Sequence, residues 1–170
     1  WTGADASGGE FEGFTTATTG ILITDATVND VTLTATFTAG NIVVEFMKIL
    51  DVVSSEVLGK EDFALYVSPK TLFLYNQALG TSGYANDYQA NEKPSNIYGY
   101  SIYACPGFPD DQIVGTYSSN LVFGSNIQTN MTEVRTIDMS PIDGSDNVRF
   151  IMRYAAGVQV GVGADVWWGQ

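Results

Sequence analysis

A predicted strand that leads directly into a predicted helix is the pattern that most constrains the fold of this chain. Phe63–Val67 is a short run of apolar and β-forming residues. Ser68 and Pro69 come next, and this pair is typical of a helix start, because serine caps the first turn and proline fits its backbone. Gly80 is a typical helix stop. The sequence therefore predicts a helix over 69–79.

A second helix is predicted over residues 41–58. Asn41 is a suitable N-cap, and Gly59 is a suitable C-terminal stop. Between them, apolar residues recur at helical spacing and give the helix one apolar face. These residues are Ile42, Phe46, Ile49, Leu50, Val53 and Val57.

The remaining apolar segments have the pattern of strands. Residues 31–38 alternate between apolar residues and threonine, which predicts a strand or an extended segment that needs a neighbour to pack on. After Gly99, turn residues separate short apolar runs. The longest of the β-like segments is 147–168, and the shorter runs are 100–104, 113–116, 121–123 and 134–139. Two helices with several short strands predict an α+β fold.

The charge of the chain limits its partners. The net charge is −12, and only seven residues are Lys or Arg, none of them in the first 47 positions. An acidic surface repels phosphate groups, so we expect no sequence-specific nucleic acid and no anionic membrane as partner. No apolar run reaches the roughly 18 residues that predict a membrane-spanning helix.

The side chains that carry most enzyme chemistry are rare. The chain has no histidine, which excludes histidine-based catalytic triads and metal sites, and Cys105 is its one cysteine. A small buried apolar role is predicted for Cys105. The carboxylates at Asp110, Asp111, Asp143 and Asp146 lack the spacing of a calcium loop and fit solvated turns. We therefore predict no catalytic residue, no metal and no cofactor.

Two polar segments are candidates for a contact surface. Residues 80–99 are long for a connection and interleave tyrosines with asparagines, a composition that suits a protein interface. A second segment is the turn between Pro106 and Pro109, which two aspartates follow. From these segments we predict subunit-interface residues Tyr84, Tyr88, Tyr98, Phe108, Asp110 and Asp111.

Several motifs, taken in their order, resemble one protein family. They are NVRFIMRYAAGVQVG at 147–161, ADVWWG at 164–169, SNLVFG at 119–124 after CPGFP at 105–109, FALYVSP at 63–69, and GGEFEGF at 8–14. Together they resemble the major capsid proteins of tailed bacteriophages, which have the Hong Kong 97-type fold. The combination is most similar to capsid proteins of crAss-like and related Bacteroidetes phages.

The resemblance implies a fragment of that capsid fold, with two main helices on a mixed sheet. It places the later part of the peripheral domain at 1–79, the axial domain at 80–147, and closing strands that return to the peripheral domain at 148–170. The family's N-terminal arm, extended loop and spine helix would precede residue 1. The implied function is self-assembly into hexamers and pentamers of an icosahedral head, inside the host bacterial cytoplasm. Other copies of the chain are the implied partners, and a capsid decoration protein is a further candidate.

Two other functions stay open at this point. An encapsulin-like compartment shell belongs to the same structural class, and the upstream sequence would separate it from a phage capsid. A secreted carbohydrate-binding β-domain would use Trp167, Trp168 and the tyrosines of 84–103 as a sugar platform. A glycan array would distinguish this second alternative from a capsid fragment, because a capsid fragment should bind no glycan selectively.

Overall fold

A computed structural model describes residues 22, 27–81, 95–125, 134–139, 141, 144, 146–152 and 156–170 of the chain. We number the elements in chain order. The helices are α1 (Ile42–Val52), α2 (Ser55–Leu58) and α3 (Pro69–Thr81). The strands are β1 (Asn29–Val31), β2 (Phe63–Val67), β3 (Ser95–Ile97), β4 (Tyr100–Ala104), β5 (Ile113–Tyr117), β6 (Leu121–Ser125), β7 (Val134–Asp138), β8 (Val148–Met152), β9 (Ala156–Val160) and β10 (Trp167–Gly169).

A mixed six-stranded sheet in the order β1-β10-β5-β2-β4-β3 organises the chain. Strand β2 pairs parallel with β4 and antiparallel with β5, and β1 pairs parallel with β10. All five residues of β2 are buried, as expected for a central strand with both faces covered. The predicted α+β fold with a mixed sheet is confirmed.

The sheet separates two apolar cores. On one face lie α1 and α3, where Phe46 and Tyr75 meet edge to face with ring centroids 5.4 Å apart. On the other face, Tyr66, Val114 and Trp168 form a second cluster. Trp167 and Trp168 are neighbours on one strand, so they point to opposite faces and each enters a different core. Both tryptophans are buried, so neither offers a sugar platform.

The segment 41–58, which was predicted to be one helix, forms the two helices α1 and α2 in the structure. Val53 and Ser54 are extended, with ψ of 132° and 143°, and this break separates α1 from α2. Two adjacent β-branched residues, Val52 and Val53, lower the helix propensity at this point. The apolar spacing continues across the break because Val53 and Val57 are both buried in the same core.

Asn41 precedes α1 but does not cap it in the predicted way. Its Oδ1 accepts a hydrogen bond from the Thr38 backbone N–H at 2.7 Å, and its Nδ2 donates to the Thr36 carbonyl at 3.1 Å. The side chain therefore fastens the preceding turn instead of satisfying an N–H of the helix.

The start of α3 is as predicted, and its end is not. The Ser68 Oγ accepts the Thr71 backbone N–H at 3.1 Å, which confirms the cap. The helix continues through Gly80 to Thr81, and Gly80 lacks the positive φ of a left-handed stop. Gly80 is exposed, and the Thr81 hydroxyl donates to the Gln77 carbonyl at 2.9 Å within the same last turn.

We therefore expect Gly80→Ala to stabilise the protein. Alanine in a helix is favoured over glycine by about 0.5–1 kcal/mol, and a β-carbon at position 80 meets no atom within 4 Å. Thermal denaturation should show a rise of roughly 1–4 °C in melting temperature. Gly99→Ala is the matched control and should lower it, because Gly99 has a φ of +89°. A lower melting temperature for Gly80→Ala would mean that the helix ends before this residue.

The alternating segment 31–38 is extended, but only its first residue belongs to a strand. Val31, Leu33 and Phe37 are buried and the threonines between them are exposed, as the alternation predicted, but Ala35, on the same predicted face, is exposed. After β1, the Leu33 N–H donates to the Gln170 carbonyl at 2.9 Å. The alternative of an extended segment that packs on a neighbour is therefore the correct one here.

Glu45 is a buried carboxylate on α1 whose oxygens are fully engaged. They accept the Thr34 backbone N–H at 3.2 Å, the Thr34 hydroxyl at 2.7 Å, and the Lys48 ammonium at 2.9 and 3.0 Å. Burial alone would raise the pKa of Glu45, but the bonds from Thr34 and Lys48 outweigh it and hold the pKa below its ordinary 4.5. The carboxylate therefore joins α1 to the extended segment that precedes it.

We expect stability to fall in acid partly because of Glu45. A lowered pKa in the folded state means that its stabilisation is complete above pH 4.5 and is lost as pH falls through the folded-state value. Glu45→Gln should flatten the decline of melting temperature below about pH 4.5. Glu56→Gln changes the charge equally at an exposed position and should keep the wild-type slope. An unaltered slope in Glu45→Gln would contradict this role.

Strands β6, β7, β8 and β9 lie outside the main sheet, and we call their described residues the arm. Strands β6 and β9 form one antiparallel pair, and β7 and β8, which lie between them in sequence, form another. Of the strands predicted to close the fold at 148–170, only β10 joins the main sheet. Strands β4 and β5, from the segment predicted as axial, lie in that sheet beside β2.

Candidate subunit interface

Tyr98 stands at the tip of the β3–β4 hairpin. It forms a two-residue turn with Gly99, with φ values of 50° and 89°, between the paired residues Ile97 and Tyr100. Two positive φ values define a type I′ turn, which suits hairpins but is uncommon for tyrosine. The side chain is 69% exposed, and its hydroxyl reaches the Met47 sulfur at 3.8 Å. An exposed ring on a strained turn is a good candidate for a contact with another molecule.

The turn after β4 holds three more of the predicted residues, Phe108, Asp110 and Asp111, and hydrogen bonds tie this turn to other parts of the chain. Asp110 accepts the Ser68 hydroxyl at 2.8 Å and the Lys70 ammonium at 3.2 Å. The bond from Ser68, with help from Lys70, holds the pKa of Asp110 below its ordinary value. Asp111, at a φ of 59°, accepts the Phe37 backbone N–H at 2.8 Å. These bonds lock the turn against α3 and the extended segment.

Phe108 belongs to the core below this turn. Its side chain is buried and packs with Tyr66 and Trp168. It therefore shapes the turn from inside and offers little surface to a neighbour. Cys105, which opens the turn, is half-buried against the same core, as its predicted apolar role implies.

The predicted interface residues that the structure describes do not form one patch. Tyr98 precedes β4, and Asp110 and Asp111 follow the turn at its other end. Five strand residues separate these ends by roughly 16 Å. Tyr84 and Tyr88 lie outside the described residues. Contact of any of these residues with a second copy stays a prediction.

A group of hydrogen bonds around the Asn120 side chain, which we call the joint, connects the arm to the main sheet. Asn120 is 2% exposed, and its amide donates to the Thr116 hydroxyl at 3.1 Å and the Val162 carbonyl at 2.9 Å. Its Oδ1 accepts the Val162 N–H at 2.7 Å. The side chain thus connects the end of β5 to the residues that follow β9. Composition gave no signal for this role, because Asn120 resembles any loop asparagine in sequence.

Charged residues support the joint from outside. The Asp62 carboxylate accepts the Ser119 backbone N–H at 3.1 Å and its hydroxyl at 2.7 Å, which lowers the pKa of Asp62. Lys60 lies over the Tyr117 ring, 3.4 Å from its centroid, and 3.6 Å from an Asp165 oxygen. Burial alone would lower the pKa of Lys60, but these two partners outweigh it and raise the pKa.

The arm exposes apolar side chains on strands that the sequence pattern predicted. On β8, Val148, Phe150 and Ile151 are exposed, and on β6, Val122 and Phe123 are exposed. Alternation predicted the strands correctly, but it does not show whether the apolar face meets the same chain or another. Exposed apolar surface of this kind is typical of interaction sites.

Metal-binding clusters and membrane-spanning helices are absent from the part of the chain that the structure describes. No group of three or more His, Cys, Asp or Glu side chains there is placed to hold a metal ion. None of the helices in the described ranges is long and apolar enough to cross a membrane.

The fold is of the Hong Kong 97 type, as its likeness to solved chains of phage and phage-like particles shows. The chain is similar in structure to a chain from Mycobacterium phage Che8, with a TM-score of 0.65 and 17% identity over 88% of this chain and 55% of that one. It is also similar to the capsid of a native GTA particle, with a TM-score of 0.59 and 18% identity over 98% of this chain and 57% of that one.

A third similar structure is a virus-like particle from Pyrococcus furiosus, with a TM-score of 0.52 and 12% identity over 88% of this chain and 57% of that one. This chain thus spans about half the length of these structures. At identities of 12–18% the likeness concerns the fold. The sequence matches no family profile and no curated protein.

Proposed function

We propose that this chain is part of a major capsid protein that assembles with copies of itself into the icosahedral head of a bacteriophage. The observation that carries the proposal is the fold likeness to capsid chains over most of the chain. The exposed apolar residues of the arm and the exposed Tyr98 also support it, because shell subunits need surfaces that only neighbours cover. We propose no enzymatic activity, and a virion location follows from the proposal.

The finer parts of the proposal rest on sequence resemblance. They are hexamers and pentamers as the assembly units, assembly in the host bacterial cytoplasm, a decoration protein as partner, and kinship with crAss-like phages. The domain boundaries at residues 79 and 147 have the same basis. A cyclic ring requires two different matching surfaces on each subunit, so opposite sides of the chain must be complementary.

Electron microscopy of the full-length protein after expression tests the proposal. We expect closed particles of uniform diameter. A protein that stays monomeric at high concentration, or that forms only irregular aggregates, would contradict it. A glycan array run on the same sample should give no selective binding.

A compartment shell is the second candidate, because one similar structure is a virus-like particle from Pyrococcus furiosus. Both candidates predict closed particles, so the contents decide between them. Particles purified from cells that carry the whole phage genome should hold nuclease-protected DNA if the chain is a phage capsid protein. Particles that hold a specific protein and no DNA would favour the compartment.

Tyr98 provides a test of the predicted contact surface. Tyr98→Asn removes the ring but keeps a residue that tolerates the positive φ of this turn. The change should alter the free energy of unfolding of the monomer by no more than about 0.5 kcal/mol, because the side chain is exposed. It should weaken particle formation, whereas Tyr98→Phe, which keeps the ring, should not. Normal assembly by Tyr98→Asn would place the contact elsewhere.

A further inference from the structure

Strand β8 is the most exposed apolar element among those that the structure describes. Phe150 is 76% exposed and Val148 is 51% exposed, and β8 pairs only with β7 in a two-stranded sheet. A two-stranded sheet alone is marginally stable in water, and a free strand edge invites further contacts. One edge of β8 is paired with β7, and the other is free of any partner strand among the described residues. A surface that meets this free edge would touch side chains from both faces of the strand.

The arginines of this acidic chain are concentrated in the arm segment of the sequence. All three arginines of the sequence, at positions 135, 149 and 153, fall on β7, β8 and the residue after β8, while the net charge is −12. Arg149 is exposed, and the salt bridges found among the described residues all use lysines. Arg149 therefore stands between two exposed apolar residues without an acidic partner in the described part of its own chain.

A surface that combines exposed carboxylates with exposed apolar side chains lies on α1 and α2. Val44 and Met47 are exposed on the outer side of α1, and its last turn exposes Asp51 and Val52. Glu56 follows on α2 and is exposed. Asp51 and Glu56 take part in none of the salt bridges of the described residues. Asp51 has the exposed Val52 beside it in sequence, whereas the other exposed acids of the described residues, including Glu56 and Glu61, have no exposed large apolar neighbour in sequence.

We propose that the free edge of β8 docks on the α1–α2 surface of a second copy of the chain. Arg149 meets the carboxylates of Asp51 and Glu56, and Phe150 covers Val52. The proposal rests on the proposed function, and it names the two surfaces that a cyclic contact joins. Because the two surfaces differ, each copy offers one and receives the other, as closure of a ring requires. Nucleic acid is the less favoured partner, because phosphates would not cover the apolar neighbours of Arg149.

Charge reversal and its rescue test the contact in the full-length protein. Sedimentation velocity, at concentrations where wild-type protein is partly associated, should show association weakened about tenfold or more by Arg149→Glu and by Phe150→Ser. Arg149→Glu combined with Asp51→Arg and Glu56→Arg should restore much of the loss. Phe73→Ser is the matched control, since Phe73 is 66% exposed on α3, outside the proposed contact. Added salt should weaken wild-type association more than that of Arg149→Gln.

The outcomes separate this contact from the proposed function. Closed shells that form normally from Arg149→Glu and Phe150→Ser would overturn the contact and leave the capsid proposal standing. Association that depends on Arg149 but yields only open chains would support the contact and overturn the capsid proposal. The contact is also overturned if the charge exchange restores nothing, or if Phe73→Ser weakens association as much as Phe150→Ser. The last measurement is a titration of the protein with labelled duplex DNA. If Arg149→Glu abolishes DNA binding but leaves self-association unchanged, then β8 binds nucleic acid and the proposed contact is overturned.

Discussion

Asn120→Leu should cost about 3 kcal/mol of folding free energy and lower the melting temperature by roughly 6–12 °C. The native amide satisfies both the N–H and the carbonyl of Val162 and also bonds the Thr116 hydroxyl. Leucine has a similar volume but no polar atom, so these groups lose their partner at a position where the native Asn120 is 2% exposed; Val162 itself is 47% exposed. The cost of unsatisfied buried polar groups therefore dominates any gain from the added apolar surface.

The matched control for this change is Asn96→Leu. Asn96 is exposed on the edge strand β3, and its side chain makes no hydrogen bond with the described residues. Thermal and chemical denaturation of both variants should show a large loss for Asn120 and a change within about 0.5 kcal/mol for Asn96. Equal small effects would show that water replaces the amide, and that the joint is not what orients the arm.

The local signals in the sequence predict the elements well where a residue has one structural role. Ser68 is a cap in any context that continues into a helix, and Phe63–Val67 is short and apolar enough to be a central strand. Gly80 was misleading because glycine also occupies exposed helical positions at a modest cost. The break at Val53 was not predicted, because Val53 and Val57 stay on the buried face and preserve the helical period.

The candidate site was harder to predict, because its properties depend on contacts between distant parts of the chain. Asp110 and Asp111 look like residues of a solvated turn, but their partners Ser68 and Phe37 lie about 40 and 70 positions away. Trp168 resembles an exposed platform until the second core beneath the sheet is known. Phe150 resembles a buried strand residue because its alternation is the same whether the covering surface belongs to this chain or to another.

Gly169→Ala should cost about 2–3 kcal/mol, since the last strand leaves no room for a side chain on this face. Gly169 pairs with Ile113 on one side and Val31 on the other. A β-carbon there would lie 2.4 Å from Leu33 Cδ1 and 2.8 Å from Ile49 Cδ1, well inside van der Waals contact. Both side chains are buried in the core under α1, so neither moves without displacing others. The melting temperature should fall by roughly 4–12 °C.

Two further variants test whether crowding is the cause of that loss. Gly157→Ala places the same methyl group at an exposed position on strand β9, where it meets no atom within 4 Å. This change should leave the stability nearly unchanged. Leu33→Ala alone should cost about 2–5 kcal/mol, because it empties a buried site. Combined with Gly169→Ala it should cost at least about 1 kcal/mol less than the sum of the two, because the new methyl group occupies part of the vacated space. Strict additivity in this double-mutant cycle would rule out the clash and assign the loss to the backbone of β10.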